Sequence, residues 1–161
     1  MTNHLKLADS YLRLSDEEKK YGNESESITN QREIIRDYCK KQGIIIVSEF
    51  VDDGYSGGNF ERPGFQAMLN HLAAGKANTV ITKDLSRLGR DMTESSYYAE
   101  RFFPEHGIHY LAPGNDFDSM GDNLMAPFQF AMNDVYLRDT SRKVKQTLDM
   151  KRKKGKYAAC P

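Results

Sequence analysis

The sequence predicts an α/β domain whose mostly parallel central sheet is flanked by helices and followed by a long C-terminal helix. Three observations carry this. Short apolar runs alternate with helix-length amphipathic stretches, as they do when helices cover a parallel sheet. The helical stretches begin or end at residues suited to those positions. Beyond them, apolar residues recur at helical spacing from Leu124 to Leu148.

The first strand spans Ala8 to Leu14, and its period of two puts Tyr11, Arg13 and Ser15 on one side, with Leu12 and Leu14 on the other. A helix over 27–42 follows and stops at Gly43, a residue tolerant of the left-handed turn that ends helices. Ile44 to Val51 forms the second strand. Pro63 and Gly64 open a helix over 64–74, since proline costs nothing at a first helical position. Thr79 to Lys83 is the third strand, Asp91 with Glu94 has capping-box spacing for a helix over 92–105, and Ile108 to Ala112 is the fourth strand. Leu124, Phe128, Met132, Val135, Tyr136, Val144 and Leu148 then recur at three, four or eight residues, which predicts one long helix. The expected organisation is a catalytic body over 1–123, an amphipathic then basic helix over 124–156, and the start of a linker over 157–161. A helix that long leaves the domain body, and the end KRKKGKYAACP resembles a linker cut short, so the chain is expected to be a piece of a longer protein.

Composition excludes several classes. With 161 residues, 39% hydrophobic and 29% charged, the chain can bury one ordinary core. Its longest aliphatic run, Ile44 to Val47, is far too short to span a bilayer, and no apolar block follows a basic start. Cys39 and Cys160 stand far apart without a CxxC partner, which suggests neither a disulfide framework nor a zinc site. A cytoplasmic protein without metal or membrane is expected. The net charge of zero conceals an asymmetry: residues 138–157 hold nine Lys or Arg against two Asp, whereas residues 1–137 hold 14 against 21. A basic segment of this kind fits a polyanion such as DNA, or else a solvated helix face.

In an open parallel sheet, ligands bind beyond the carboxyl ends of the strands. The segments there are YLRLS with Arg13 and Ser15, DDGYSGGNFERPGF with Asp52, Asp53 and Arg62, and KDLSRLGRD with Arg87 and Arg90. Four arginines around one alcohol suit a phosphodiester, because guanidiniums bind its nonbridging oxygens in pairs and offset the charge of an attacking alkoxide. Each arginine taken alone fits a surface ion pair equally well. GYSGG, with Ser56 at its centre, has the spacing of a hydrolase nucleophile elbow, so two serines compete for the role of nucleophile. Asp52, Asp53, Lys83 and Asp84 admit a further reading as a metal-dependent nuclease or receiver-like phosphoacceptor site. A DNA-binding or oligomerisation module without chemistry would need only the basic helix.

These segments, with SITNQR around Gln31, YYAERFFPEHGI and the basic helix, occur in an order and spacing that resembles the catalytic domain of the serine recombinases, the resolvase and invertase superfamily. The resemblance runs nearly end to end and is closest to the large serine recombinases and transposon-encoded enzymes. It implies a resolvase-like fold with Ser15 as nucleophile. Arg13, Arg62, Arg87 and Arg90 would activate it and hold the scissile phosphate, and Tyr11 and Gln31 would support the site. It further implies double-stranded DNA as partner, no cofactor, and a homo-oligomer, dimeric at rest and tetrameric in the synaptic complex. Arg138, Arg142, Lys143, Lys145, Lys151, Arg152, Lys153 and Lys154 are candidate DNA contacts. One departure concerns Ser86, where small resolvases commonly carry aspartate before the first arginine of this motif; Asp84 is a nearby candidate for handling the leaving-group proton. Against this background Ser56 reads as part of a Gly-rich loop that brings Arg62 to the phosphate. His71, His106 and His109 read as residues of a helix, a helix end and a strand rather than as a base for Ser56.

Overall fold

The computed structural model describes residues 5–21, 27–55, 58–89, 91–121, 142–150 and 152–153. Among the described residues, five strands form one sheet in the order β2-β1-β3-β4-β5. The strands are β1 (Leu7–Leu14), β2 (Ile45–Asp53), β3 (Thr79–Ile81), β4 (His109–Ala112) and β5 (Phe117–Asp118). The first four run parallel, and β5 is added antiparallel to β4 at one edge. The expected parallel sheet is therefore present. Two short strand residues at 117–118, which no run of apolar alternation announces, extend it.

The helices are α1 (Asp16–Tyr21), α2 (Ile28–Gln42), α3 (Pro63–Ala73), α4 (Leu85–Leu88), α5 (Met92–Ser96) and α6 (Phe103–Glu105). Local chemistry sets their ends. The Ser27 hydroxyl accepts from Asn30 N at the start of α2, and Gly43 closes it at φ 67° in the left-handed region. Pro63 is the first residue of α3. The Asp91 side chain accepts from Glu94 N at 2.8 Å and starts α5. The helix predicted over 92–105 runs through α5 and α6, but its middle, Tyr97–Phe102, is π-helical. Phe103 N accordingly bonds to Tyr98 O, five residues back. Pro104 supplies the reason: it has no N–H to give, and its ring cannot sit against the carbonyl of an α-helical turn.

Two apolar layers enclose the sheet. On one face Ala8, Leu12, Ile81 and Leu111 of the strands pack on Ile35 and Cys39 of α2. On the other, Tyr11, Val80, Tyr110 and Ala112 pack on Phe65, Met68 and Leu72 of α3 and on Ala99 and Phe103. Alternation along β1 thus sends Leu12 to one layer and Tyr11 to the other, as the period of two requires. Burial also pushes the Cys39 thiol up to about 11, so it is an inert core group.

Residues 142–150 and 152–153 are helical and exposed, with Val144 and Leu148 on the surface. Leu124, Phe128, Met132, Val135 and Tyr136, which define the apolar half of the predicted long helix, lie outside the described residues. Among the described residues no helix is long and apolar enough to cross a membrane.

Candidate active site

The sheet order makes β1 the strand at which the winding reverses, because the chain passes from β1 to β2 on one side and then crosses to β3 on the other. The carboxyl ends of β1 and β3 flank the crevice where ligands bind in such sheets. Arg13 and Ser15 stand at the end of β1, and Arg87 lies in α4, just after β3.

Arg13 is fully buried, and its guanidinium reaches three backbone carbonyls: Arg87 O from Nε at 3.3 Å, Tyr55 O from NH1 at 3.2 Å and Ser86 O from NH2 at 2.8 Å. Two of these belong to α4, whose last-turn carbonyls have no partner inside so short a helix. The backbone of Arg13 is held as firmly. Pairing between β1 and β3 ends at Ser10 and Ile81, three residues earlier, so no strand covers this side of Arg13. The Gln31 amide takes that place, its Oε1 accepting from Arg13 N at 3.2 Å and its Nε2 donating to Arg13 O at 2.9 Å. Arg87 NH1 donates to the same carbonyl at 2.8 Å.

Ser15 is the N-cap of α1. Its Oγ accepts from Glu18 N at 3.2 Å, and Glu18 Oε2 accepts from Ser15 N at 2.8 Å, a reciprocal capping box. Glu18 also joins the arginines: Oε1 accepts from Arg87 NH2 at 2.6 Å, and Oε2 lies 3.7 Å from Arg13 NH1. Burial by itself would raise this carboxyl, but the Ser15 N–H and the Arg87 guanidinium outweigh it and bring it down to about 2. Glu18 is the site residue that the arginine pattern did not reveal. Its signal was present, because serine followed three residues later by glutamate is the capping-box spacing.

A second cluster adjoins the first. Tyr11 OH donates to Asp52 Oδ2 at 2.8 Å and accepts from Arg62 NH1 at 2.9 Å. Arg62 NH2 donates to Leu88 O at 2.6 Å, while its Nε is buried without a hydrogen-bond partner. The guanidinium carbon lies 5.5, 4.8 and 5.3 Å from the ring centres of Tyr11, Phe60 and Phe65. Burial lowers the pKa of Arg62 and raises that of Tyr11. Asp52 additionally accepts from Gly64 N and Phe65 N at 2.8 and 2.9 Å, capping α3.

The structure therefore gathers Ser15, Arg13 and Arg87 around Glu18, with Gln31 on the Arg13 backbone, and links Arg62 through the Tyr11 hydroxyl to Asp52. Arg90 and Ser56 lie outside the described residues, as do Arg138, Lys151 and Lys154. Arg142, Lys143, Lys145, Arg152 and Lys153 are exposed on the C-terminal helical segment. The adjacent carboxylates of the nuclease and receiver readings diverge: Asp52 is buried against α3, whereas Asp53 is exposed and pairs with Lys19 at 2.7 Å. Ser86 Oγ donates to Asp84 Oδ1 and accepts from Arg87 Nε at 3.3 Å. The histidines are occupied elsewhere, His71 with Asp9, His106 with Phe102 O and His109 with Asp118.

The chain is thus an α/β domain with a mostly parallel sheet that carries a serine and two arginines at its switch point. Comparison with known proteins gives the family. The family described as "Resolvase, N terminal domain" matches residues 8–157, and the chain belongs to it, as a serine recombinase catalytic domain. Its fold is that of the N-terminal catalytic domain of TP901-1 integrase, with a TM-score of 0.65 at 22% identity over 86% of this chain and 98% of that one. A resolvase family site-specific recombinase from Streptococcus pneumoniae shares the fold at a TM-score of 0.60 and 19% identity, covering 92% of this chain and 99% of its own. In sequence, the chain is 35% identical over 65 residues to uncharacterized immunity region protein 3 of Bacillus phage phi105, covering 40% of this chain and 77% of that protein.

Proposed function

We propose that this domain cleaves and rejoins DNA by transesterification, with Ser15 as the nucleophile. Ser15 Oγ attacks a backbone phosphorus; the Oγ–P bond forms, the bond from phosphorus to the 3′ oxygen breaks, and the serine proton is passed on as the 3′ hydroxyl is released. The product is a 5′-phosphoserine link, which conserves the phosphodiester energy, so reversal of the attack by another 3′ hydroxyl reseals the strand. The observation that carries this reading is that Ser15, at the end of the central strand, shares the Glu18 carboxylate with Arg87 and with Arg13 at 3.7 Å, in a chain of the resolvase family. Two fixed positive charges there offset the charge that develops on the phosphoryl oxygens.

Tyr11 and Gln31 act as positioning residues in this reading and Arg90 joins the phosphate site; Arg62, expected at the phosphate, is buried among the rings of Tyr11, Phe60 and Phe65 and is read as a positioning residue too. Cutting two duplexes on both strands takes four subunits, with residues 124–156 as the assembly and DNA-backbone helix beyond a catalytic body over 1–123. Phosphate contacts by Arg138, Arg142, Lys143, Lys145, Lys151, Arg152, Lys153 and Lys154 bind DNA without reading its sequence. The mobile element served is a transposon or a phage. The phage-encoded relative and the integrase fold support that setting.

The test is covalent trapping. Protein from the full reading frame is incubated with nicked duplexes in EDTA and resolved on a denaturing gel. A protein–DNA adduct that persists in Ser56→Ala and vanishes in Ser15→Ala is the expected result. Loss in Ser56→Ala alone moves the nucleophile to the Gly-rich loop. Metal-dependent cleavage without an adduct makes the protein a nuclease.

A further inference from the structure

Glu18 takes no part in the reaction as written, yet it stands at its centre. One carboxylate accepts from Ser15 N and from Arg87 NH2 and lies 3.7 Å from Arg13 NH1, while the Glu18 N–H holds Ser15 Oγ. These are the groups assigned above to the scissile phosphate. A carboxylate and a phosphodiester each carry one negative charge and offer two acceptor oxygens to a guanidinium, so they compete for the same N–H groups. Arg13 and Arg87 are 0% and 4% exposed in their side chains and Glu18 is 13% exposed, so the acid is the member of the set nearest to solvent. Asp84 also lies 3.7 Å from Arg87 Nε, so Glu18 can leave without stripping that buried guanidinium of all counter-charge.

We propose that Glu18 is a displaceable stand-in for the DNA phosphate: it neutralises Arg87 and Arg13 and orders Ser15 while the site is empty of DNA, and it swings out when a phosphodiester takes its place. The inference rests on the reading of Ser15, Arg13 and Arg87 as the phosphate site. It makes Glu18 a positioning residue that acts against substrate entry, and it distinguishes two effects that a purely structural role would leave together. Removing the charge lowers stability and, at the same time, tightens anion binding.

Inorganic phosphate is the probe. The melting temperature of the chain is titrated with sodium phosphate at neutral pH against sodium chloride of equal ionic strength, for wild type, Glu18→Gln and Glu18→Asp. Glu18→Gln keeps the length and one acceptor for Ser15 N. It is expected to melt lower in chloride yet to bind phosphate about tenfold more tightly, the scale of one charge-assisted hydrogen bond. Glu18→Asp keeps the charge but is one methylene too short to bridge Ser15 and Arg87. About a threefold gain is expected there, and it serves if the glutamine variant does not fold. Adding Arg87→Ala to either variant should abolish the gain, which separates this site from the basic C-terminal segment. Phosphate affinity equal to or weaker than wild type in the folded variants, whatever their melting temperatures, overturns the proposal. The titration uses neither DNA nor turnover, so that outcome leaves the nucleophile assignment to the Ser15→Ala trapping experiment.

Discussion

Arg13 and Arg62 are both buried arginines within the same catalytic domain, yet their surroundings differ in kind. Arg13 is 0% exposed and Arg62 1% exposed. Arg13 lies near a carboxylate that also holds Arg87 and Ser15, so its neighbourhood is rich in charge and borders the serine. Arg62 is set among three aromatic rings, with a tyrosine hydroxyl and a carbonyl as hydrogen-bond acceptors. An anion can exchange for a carboxylate. It cannot exchange for a ring face, and Arg62 instead ties α4 to β1 through Leu88 O and Tyr11.

Replacing Arg62 should give the largest effect on stability. Arg62→Ala removes a buried cation and leaves Tyr11, Leu88 O and the ring faces around a cavity, with an expected loss of about 3–5 kcal/mol in urea unfolding. A loss under 1 kcal/mol would mean that the aromatic cage opens and Arg62 is free to serve the phosphate. For the other cluster the contrast is in pH. Folding depresses the Glu18 carboxyl from 4.5 to about 2, so its contribution is complete above about pH 4.5 and disappears as pH falls from there through 2. Glu18→Gln should therefore be less stable than wild type at pH 7, on the order of 2–3 kcal/mol, and should converge on wild type near pH 2. A gap that persists at pH 2 would assign the effect to packing instead of charge.

The aromatic cluster can be pressed without touching its arginine. A Cβ at Gly64 would lie 2.9 Å from three atoms of the Asp52 carboxylate, so Gly64→Ala should force Asp52 off the α3 cap and cost about 2 kcal/mol. Unchanged stability would show that this cap is slack. The smallest effect belongs to a control outside both clusters. Arg32 makes a two-pronged ion pair with Glu49 at 2.7–2.9 Å on the surface, and Arg32→Ala should cost only about 0.5 kcal/mol, less at high salt.

How far the sequence could be read follows the same division. As far as residue 112, the strands and helices announced by period and punctuation lie where they were expected, with Gly43, Pro63 and Asp91 at the ends they mark and a π-helical middle between α5 and α6; the apolar half of the long C-terminal helix lies outside the described residues. Strand β2 runs two residues past Val51, so Asp52 and Asp53 lie on the strand and face opposite ways. The short elements α1, α4 and β5 carried too few residues to show a period. Ser15, Arg13, Arg87 and Gln31 were all read as site residues, and the structure brings them together. Glu18 was missed because an acid beside a serine looks like a helix start, which it also is.

By itself, the sequence determined the layered α/β fold, because that depends on residue type, order and spacing along the chain, and it named one serine and four arginines as candidates for the site. Only the tertiary structure decided which arginine faces which partner. Arg62 lies 47 residues from Ser15 in the chain, and nothing local to it says that Tyr11, Phe60 and Phe65 will close around its guanidinium. Burial of a charge is a property of what surrounds it on all sides. Those surroundings are assembled from strands and helices that meet only when the sheet has formed, and the same assembly places the Glu18 carboxylate between Ser15 and Arg87.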